Sequence, residues 1–277
     1  SSHPNSKCYM WVHRSGEFYH DRPIVIYEYQ KGRDHQKPLE FYRDYKGILV
    51  TDGLQQYHLV DKKLSDVTNA NCWAHARRDF ADAVKVMDKK NSAAVRSSVA
   101  YTALQKIGEF YSMDTELKKL SSGERLQKRQ EIIQPMVEDF FAWVKEQISQ
   151  CVVPPKTKTG QGLQYLVNQE SYLKVFLTDG DVPIDNSASE RSIRTFCIGK
   201  KNWMFHNTAN GASASAMVYS ISETAKLNNL RPYYYFRHIL TELPKRCDAN
   251  GKINPVELDD LMPWSAELPD ECRKPRR

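Results

Sequence analysis

A chain of 277 residues has room for one large domain or two smaller ones, and 40% hydrophobic with 11% aromatic side chains excludes a disordered chain. Forty basic against 34 acidic residues leave a net charge of +6, a mild bias towards a polyanionic partner. No apolar run reaches the roughly 20 residues of a membrane-spanning helix and no signal segment is present, so the expectation is a soluble cytoplasmic protein with no membrane partner.

The first elements alternate with turn signals. Residues 7–13 (KCYMWVH) and 23–29 (PIVIYEY) read as strands joined through Ser15-Gly16-Glu17, hence a hairpin. A short helix is expected over 36–45, then a strand over 47–51 (GILVT), whose lack of alternation predicts burial on both faces and which stops at Asp52-Gly53. A further strand over 70–74 leads into a helix in which Phe80, Ala83, Val84 and Met87 recur at i, i+3, i+4 and i+7. The helical pattern continues to about 148, closing with a stripe of Ile133, Met136, Val137, Phe140, Val144 and Ile148. Residues 152–162 (VVPPKTKTGQG) read as a mobile connector. A helix carrying Leu163, Leu166, Val167, Leu173, Phe176 and Leu177 follows, closed by Thr178-Asp179-Gly180. Helices over 212–228 and 233–243 are separated by Leu230-Arg231-Pro232, and the proline-punctuated end of the chain is expected to lack a regular fold.

Two carboxylates stand out, each with two readings. Asp52 ends a strand where α/β folds place ligands, yet Asp-Gly is also a common turn pair. Glu190 fits the capping box Ser187-Ala188-Ser189-Glu190 and pairs at i, i+4 with Arg194; it also precedes a run from 191 to 206 that holds Arg191, Arg194, Lys200 and Lys201 and no acid, interleaved with Phe196, Trp203 and Phe205. Such a run suits phosphates and unpaired bases, or equally a basic helix face over core aromatics. Arg77-Arg78 forms a second basic pair. Carboxylates tolerate a phosphodiester when divalent cations lie between them, which points to metal-dependent phosphodiester chemistry. Cys72 and His75 have ligand-like spacing but no second pair to complete a zinc site, so packing is the better account, and the six scattered cysteines read as free thiols.

The stretches ILVTDGLQQY, NCWAHARRDF, IDNSASERSIR, IGKKNWMFH and SISETAKLNNLRPYYYFRHIL, in this order, closely resemble the transposases of the bacterial insertion sequence 66 family over roughly 7–244. The resemblance implies an α/β fold: an RNase H-like mixed five-stranded sheet with flanking helices, an all-helical insertion and a helical C-terminal segment. Mapped onto this chain, 1–75 is the first part of the core, 76–155 the insertion, 156–210 the second part with the Glu-bearing helix, 211–244 the C-terminal helices and 245–277 an irregular tail. It implies a DDE transposase that cleaves DNA and transfers the 3′-OH strand. Asp52 and Glu190 would be the second and third acids, holding Mg²⁺ or Mn²⁺. Arg191, Arg194, Lys200, Lys201 and Trp203, and more weakly Arg77 and Arg78, would contact DNA. Element ends and target DNA would be the partners of a homo-oligomer, with accessory proteins of the same element and association with the nucleoid. The family's first aspartate belongs on a strand ahead of KCYMWVH, in a D-E-T context, and only SSHPNS stands there. The expectation is therefore a catalytic-domain fragment that is inactive alone. The alternatives are a non-catalytic DNA-binding remnant and a structure-specific nuclease on the same fold.

Overall fold

The computed structural model describes residues 8–32, 34, 36–88, 91–203, 206 and 208–275, apart from the Trp203 side chain. In chain order the elements are β1 (Tyr9–Arg14), β2 (Val25–Gln30), α1 (Gln36–Tyr42), β3 (Gly47–Thr51), α2 (Gln55–Lys63), β4 (Val67–Asn71), α3 (Trp73–Ala76), α4 (Arg78–Lys85), α5 (Ser92–Arg96), α6 (Val99–Leu117), α7 (Ser122–Lys128), α8 (Gln134–Ser149), α9 (Lys158–Leu173), α10 (Ser187–Trp203), α11 (Ala209–Leu227) and α12 (Pro232–Glu242). The protein is mixed α/β and dominated by helix, with two small sheets. β1 pairs antiparallel with β2, as the hairpin reading expects, and β3 pairs parallel with β4. The four described strands thus form two separate two-stranded sheets rather than one mixed sheet.

The chain divides into two compact units, one contiguous (Asp34–Ser187) and one built from two segments (Ser1–Arg33 and Ala188–Arg277). In the contiguous unit the core is organised around Trp73, fully buried, with Phe110, Phe140, Phe141 and Phe176 packed about its ring and its Nε1–H donating to Leu173 O at 2.8 Å. The stripe read from the sequence supplies one wall: Ile133, Val137, Phe140 and Val144 are buried along α8. Two buried arginines knit α7 and the single π-turn that follows it to the segment ahead of α10. Arg129 pairs with Asp114 at 2.7 Å and donates to the carbonyls of Phe176 and Val182 at 2.9 and 2.8 Å, and Arg125 donates to Gly180 O at 2.7 Å.

Several boundaries move. The strand expected over 70–74 is β4 at 67–71, because the chain turns into α3 at Cys72. β3 is not buried on both faces: only Thr51 is buried, while β4 buries all but Thr68. A strand with a single ladder partner is shielded less than a central one. The connector is shorter than expected, since Thr157 caps α9 through the Gly160 amide at 3.1 Å. Both glycines of the stretch are packing residues, as a Cβ at 160 would lie 2.3 Å from Pro154 O and one at 162 would lie 2.9 Å from the Phe80 ring.

In the two-segment unit, Val25, Tyr27, Phe196 and Ala216 form a small core between the hairpin, α10 and α11. The outer edge of β2 is covered by side chains of α11 rather than by a third strand. Val25 N–H donates to Thr224 Oγ1 at 3.0 Å, Thr224 Oγ1–H donates to Val25 O at 3.0 Å, and Tyr27 N–H donates to Ser220 Oγ at 2.8 Å. The C-terminal tail is folded, contrary to the sequence expectation. Two 3₁₀ turns, Pro255–Leu261 and Asp270–Cys272, bury Leu261, Leu268 and Cys272 alongside Leu230, Tyr235 and Ile239. Tyr235 Oη–H donates to Leu261 O at 2.8 Å and Arg231 N–H to Cys272 O at 2.7 Å. Proline suits the first turn of a helix, where its missing N–H costs nothing, so proline content alone was a poor sign of irregularity here.

Candidate active site

Asp52 stands at the C-terminal end of β3, half-buried. Its Oδ1 accepts the Leu54 N–H at 3.2 Å, an Asx turn, so the turn reading is realised in geometry. Among the described residues the other carboxylate oxygen has no hydrogen bond. Gly53 has φ +80°, and a Cβ there would lie 2.5 Å from the Tyr165 hydroxyl and 3.2 Å from Asn71 Nδ2, so both backbone conformation and space demand glycine.

A buried polar network supports this corner from beneath. Thr51 Oγ1 accepts the Gly53 N–H at 3.2 Å and donates to Asn69 Oδ1 at 3.0 Å. Asn69 Nδ2 donates to Asn71 Oδ1 at 2.9 Å, and Asn71 Nδ2 donates to Gln169 Oε1 at 2.9 Å. Thr51, Asn69 and Asn71 are all buried, and every bond here serves to fix the ends of the two strands. Burial, reinforced by the Asp52 carboxylate, pushes the Tyr165 hydroxyl up to about 12.

Cys72 follows the end of β4 and is fully buried. Its Sγ accepts the Asn186 N–H at 3.4 Å, while Trp73 N–H donates to Ile184 O at 3.2 Å. Burial pushes the thiol up to about 11, which keeps it protonated. The cysteine therefore works as a packing and hydrogen-bonding group, stitching the β4–α3 corner to 184–186. Asp185 Oδ1 accepts the Ser187 N–H at 2.9 Å, so the side-chain acceptor at the start of α10 comes from Asp185, with Ser187 already the first helical residue. The charge of Asp185 also reinforces burial in raising the Tyr111 hydroxyl above the ordinary tyrosine range. Arg77 and Arg78 are exposed at the α3–α4 junction, within electrostatic range of the Tyr111 and Tyr165 hydroxyls respectively.

Glu190 belongs to the two-segment unit, in the first turn of α10. The buried face of that helix carries Ala188, Ser192 and Phe196. Tyr27 Oη–H donates to Ser192 O at 2.6 Å and Arg14 Nη1 donates to Ala188 O at 3.1 Å, which anchors the first turns on the hairpin. The opposite face is exposed, and helical geometry places Glu190, Arg194, Cys197 and Lys201 along it at i, i+4, i+7 and i+11. Arg191 and Lys200 are exposed beside them, Arg191 within 3.5 Å of Glu17. Phe196 is a core residue packed on Tyr27 and Tyr219, which removes it as a base-stacking group. The Trp203 side chain and Phe205 lie outside the described residues.

The oxygen donors of Asp52 and Glu190 suit a hard divalent cation, yet among the described residues no group of three or more His, Cys, Asp or Glu side chains is placed to hold one. The sequence reading missed Tyr165, Asn71 and Asp185. Tyr165 comes more than a hundred residues after Asp52 on a helix of ordinary pattern, and no local spacing marks it.

A family model described as "Transposase IS66 family" matches residues 1–214, and one described as "IS66 C-terminal element" matches 220–264. Three uncharacterised proteins of Sinorhizobium fredii (strain NBRC 101917 / NGR234) are similar. y4hP is 27% identical over 250 residues, covering 87% of this chain and 44% of its own length. y4qI is 28% identical over 249 residues, covering 88% and 43%, and y4jD is 25% identical over 248, covering 88% and 46%. The chain thus spans a little under half the length of these relatives. No solved structure matches. None of the described helices is long and apolar enough to cross a membrane. With a family model matching most of its length, the chain belongs to the IS66 transposase family.

Proposed function

We propose that this chain is the catalytic portion of a DDE-type transposase with an RNase H-like core, acting by DNA strand cleavage and 3′-OH strand transfer. The observation that carries the reading is the Asp52 corner: a half-buried carboxylate at a strand end, one oxygen uncommitted, on a glycine turn held rigid by a buried polar network, in a chain of this family. Structure of that quality is more than a turn needs. Asp52 and Glu190 would hold Mg²⁺ or Mn²⁺ together with an aspartate on a strand ahead of β1. When bound, such ions activate the attacking hydroxyl and stabilise the leaving oxygen.

The chain's own residues have separable tasks in this reading. The Thr51–Asn69–Asn71 network sets the direction of Asp52. Arg191, Arg194, Lys200 and Lys201 on α10 track the phosphate backbone, with Arg77 and Arg78 as lesser contacts, so that DNA affinity falls steeply with salt. Oligomerisation, accessory proteins and action at the nucleoid belong to the same reading.

The test replaces Asp52 by Asn in a protein of the relatives' full length that carries this sequence, and measures joining of a pre-cut element end to target DNA. Loss of at least about 100-fold with an unchanged melting curve is expected for a carboxylate that acts on the transition state. Joining at the unsubstituted rate would remove Asp52 from the site. Residues 1–277 alone, with only two of the three carboxylates, should give no strand transfer.

A further inference from the structure

A tyrosine hydroxyl at the Asp52 corner makes no hydrogen bond among the described residues. α9 packs Leu163 and Leu166 into the core and presents the ring of Tyr165 at its edge, half-buried against the same cluster. The hydroxyl ends 2.5 Å from where a Gly53 side chain would begin. Glycine at 53 therefore leaves a space that the Tyr165 oxygen fills. Asn71, whose Nδ2 faces the same Gly53 position, is engaged with Asn69 and Gln169. The ring is half-buried, so the hydroxyl is held at a fixed position from which it can donate to an incoming acceptor.

We infer that Tyr165 donates its hydroxyl hydrogen to a non-bridging oxygen of the phosphodiester that Asp52 acts on, an inference that rests on the reading of Asp52 given above. Among the described residues the hydroxyl makes no hydrogen bond to Asp52, whose Oδ1 takes the Leu54 N–H, so its hydrogen is available to a group that arrives with the substrate. Phosphodiester oxygens are strong acceptors, and the exposed Arg78 guanidinium within electrostatic range of the hydroxyl favours an anion there. A phenol is a neutral donor at physiological pH, so it binds phosphate without neutralising the adjacent carboxylate. The packed ring fixes the donor in advance, as transition-state stabilisation requires.

The experiment compares Tyr165→Phe, Asp52→Asn and the unsubstituted protein, each at the relatives' full length. Strand joining is measured with Rp and Sp phosphorothioate substitution at the reacting phosphate. Loss of one oriented donor should slow joining at saturating DNA by about 10-fold to 100-fold, leave DNA affinity and the melting temperature unchanged, and narrow the rate ratio between the two diastereomers. A purely packing tyrosine would leave that ratio untouched. If Tyr165→Phe joins at the unsubstituted rate with the same ratio while Asp52→Asn is inactive, the Tyr165 assignment is overturned and the Asp52 reading stands. If Asp52→Asn is active, the Asp52 reading falls and takes the Tyr165 assignment with it.

Discussion

Arg129 is fully buried on the π-turn, its Nε paired with Asp114 and its Nη1 donating to carbonyls of the segment that leads towards α10, while its Nη2 has no hydrogen-bond partner among the described residues. Replacing it by Met leaves the Asp114 carboxylate buried and uncompensated, a loss of about 3–5 kcal/mol, whereas Arg129→Met with Asp114→Leu should recover a large part of it. Urea unfolding of the single and double variants measures this, and a double variant no more stable than the single would refute the pairing argument. Neither arginine nor aspartate was marked by the sequence, because a buried ion pair has no local spacing: Asp114 sits on α6 and Arg129 after α7. Asp52 and Glu190, by contrast, were conspicuous because each adjoins a change of pattern, a strand ending or a basic run beginning. What the sequence left undecided at Asp52 was a choice between turn and site, and the geometry shows the turn to be real without excluding the site. One carboxylate oxygen makes the turn and the other has no hydrogen bond among the described residues.

Elements with strong periodicity lie where their patterns predict, and those stabilised by unusual partners are displaced from them. α8 and the β1–β2 hairpin follow their apolar patterns closely, whereas β4 reads Val-Thr-Asn-Ala-Asn, with two residues that strands ordinarily avoid. Asn69 and Asn71 are tolerated there because each amide is hydrogen-bonded in the buried network, a condition set by α9 and invisible in the five residues themselves. The same dependence on distant side chains governs β2. Ser220 and Thr224 stand at i, i+4 on α11 and meet alternate residues of the strand, so helix and strand periods coincide over one repeat and the exposed edge is satisfied. Thr224→Val keeps the shape but leaves both the N–H and the C=O of Val25 without this partner, for a loss of about 1–3 kcal/mol. Hydrogen exchange supplies the local readout: the Val25 amide should lose protection while the amides that bond within the hairpin ladder keep theirs. Unchanged protection at Val25 would mean that α11 does not cover this edge.

At the scale of the whole chain, the contiguous unit 34–187 holds β3, β4, α1–α9 and the Trp73-centred core, while the other unit cannot be completed until 188–277 is present. The seam at 187/188 falls where α10 begins, beyond the turn signals Gly180 and Pro183 rather than at them. Sequence reading finds linkers by composition and therefore cannot see a boundary placed at a helix start. A unit of roughly 150 residues with its own buried aromatic core is large enough to fold independently. Residues 34–187 expressed alone should give a single cooperative urea transition and a near-ultraviolet circular dichroism signal from the packed aromatic rings, weakened on Trp73→Phe, which leaves Trp143. A fragment with helical far-ultraviolet signal but no near-ultraviolet signal would be a collapsed state without fixed packing, and the unit would then depend on residues outside it. The distinction matters for the Asp52 corner, because Thr51, Asn69, Asn71, Tyr165 and Gln169 all lie within 34–187. If the fragment packs natively, the corner and its tyrosine are preformed without Glu190. The geometry around Asp52 is then a property of one folding unit, set before DNA or the remaining carboxylates are engaged.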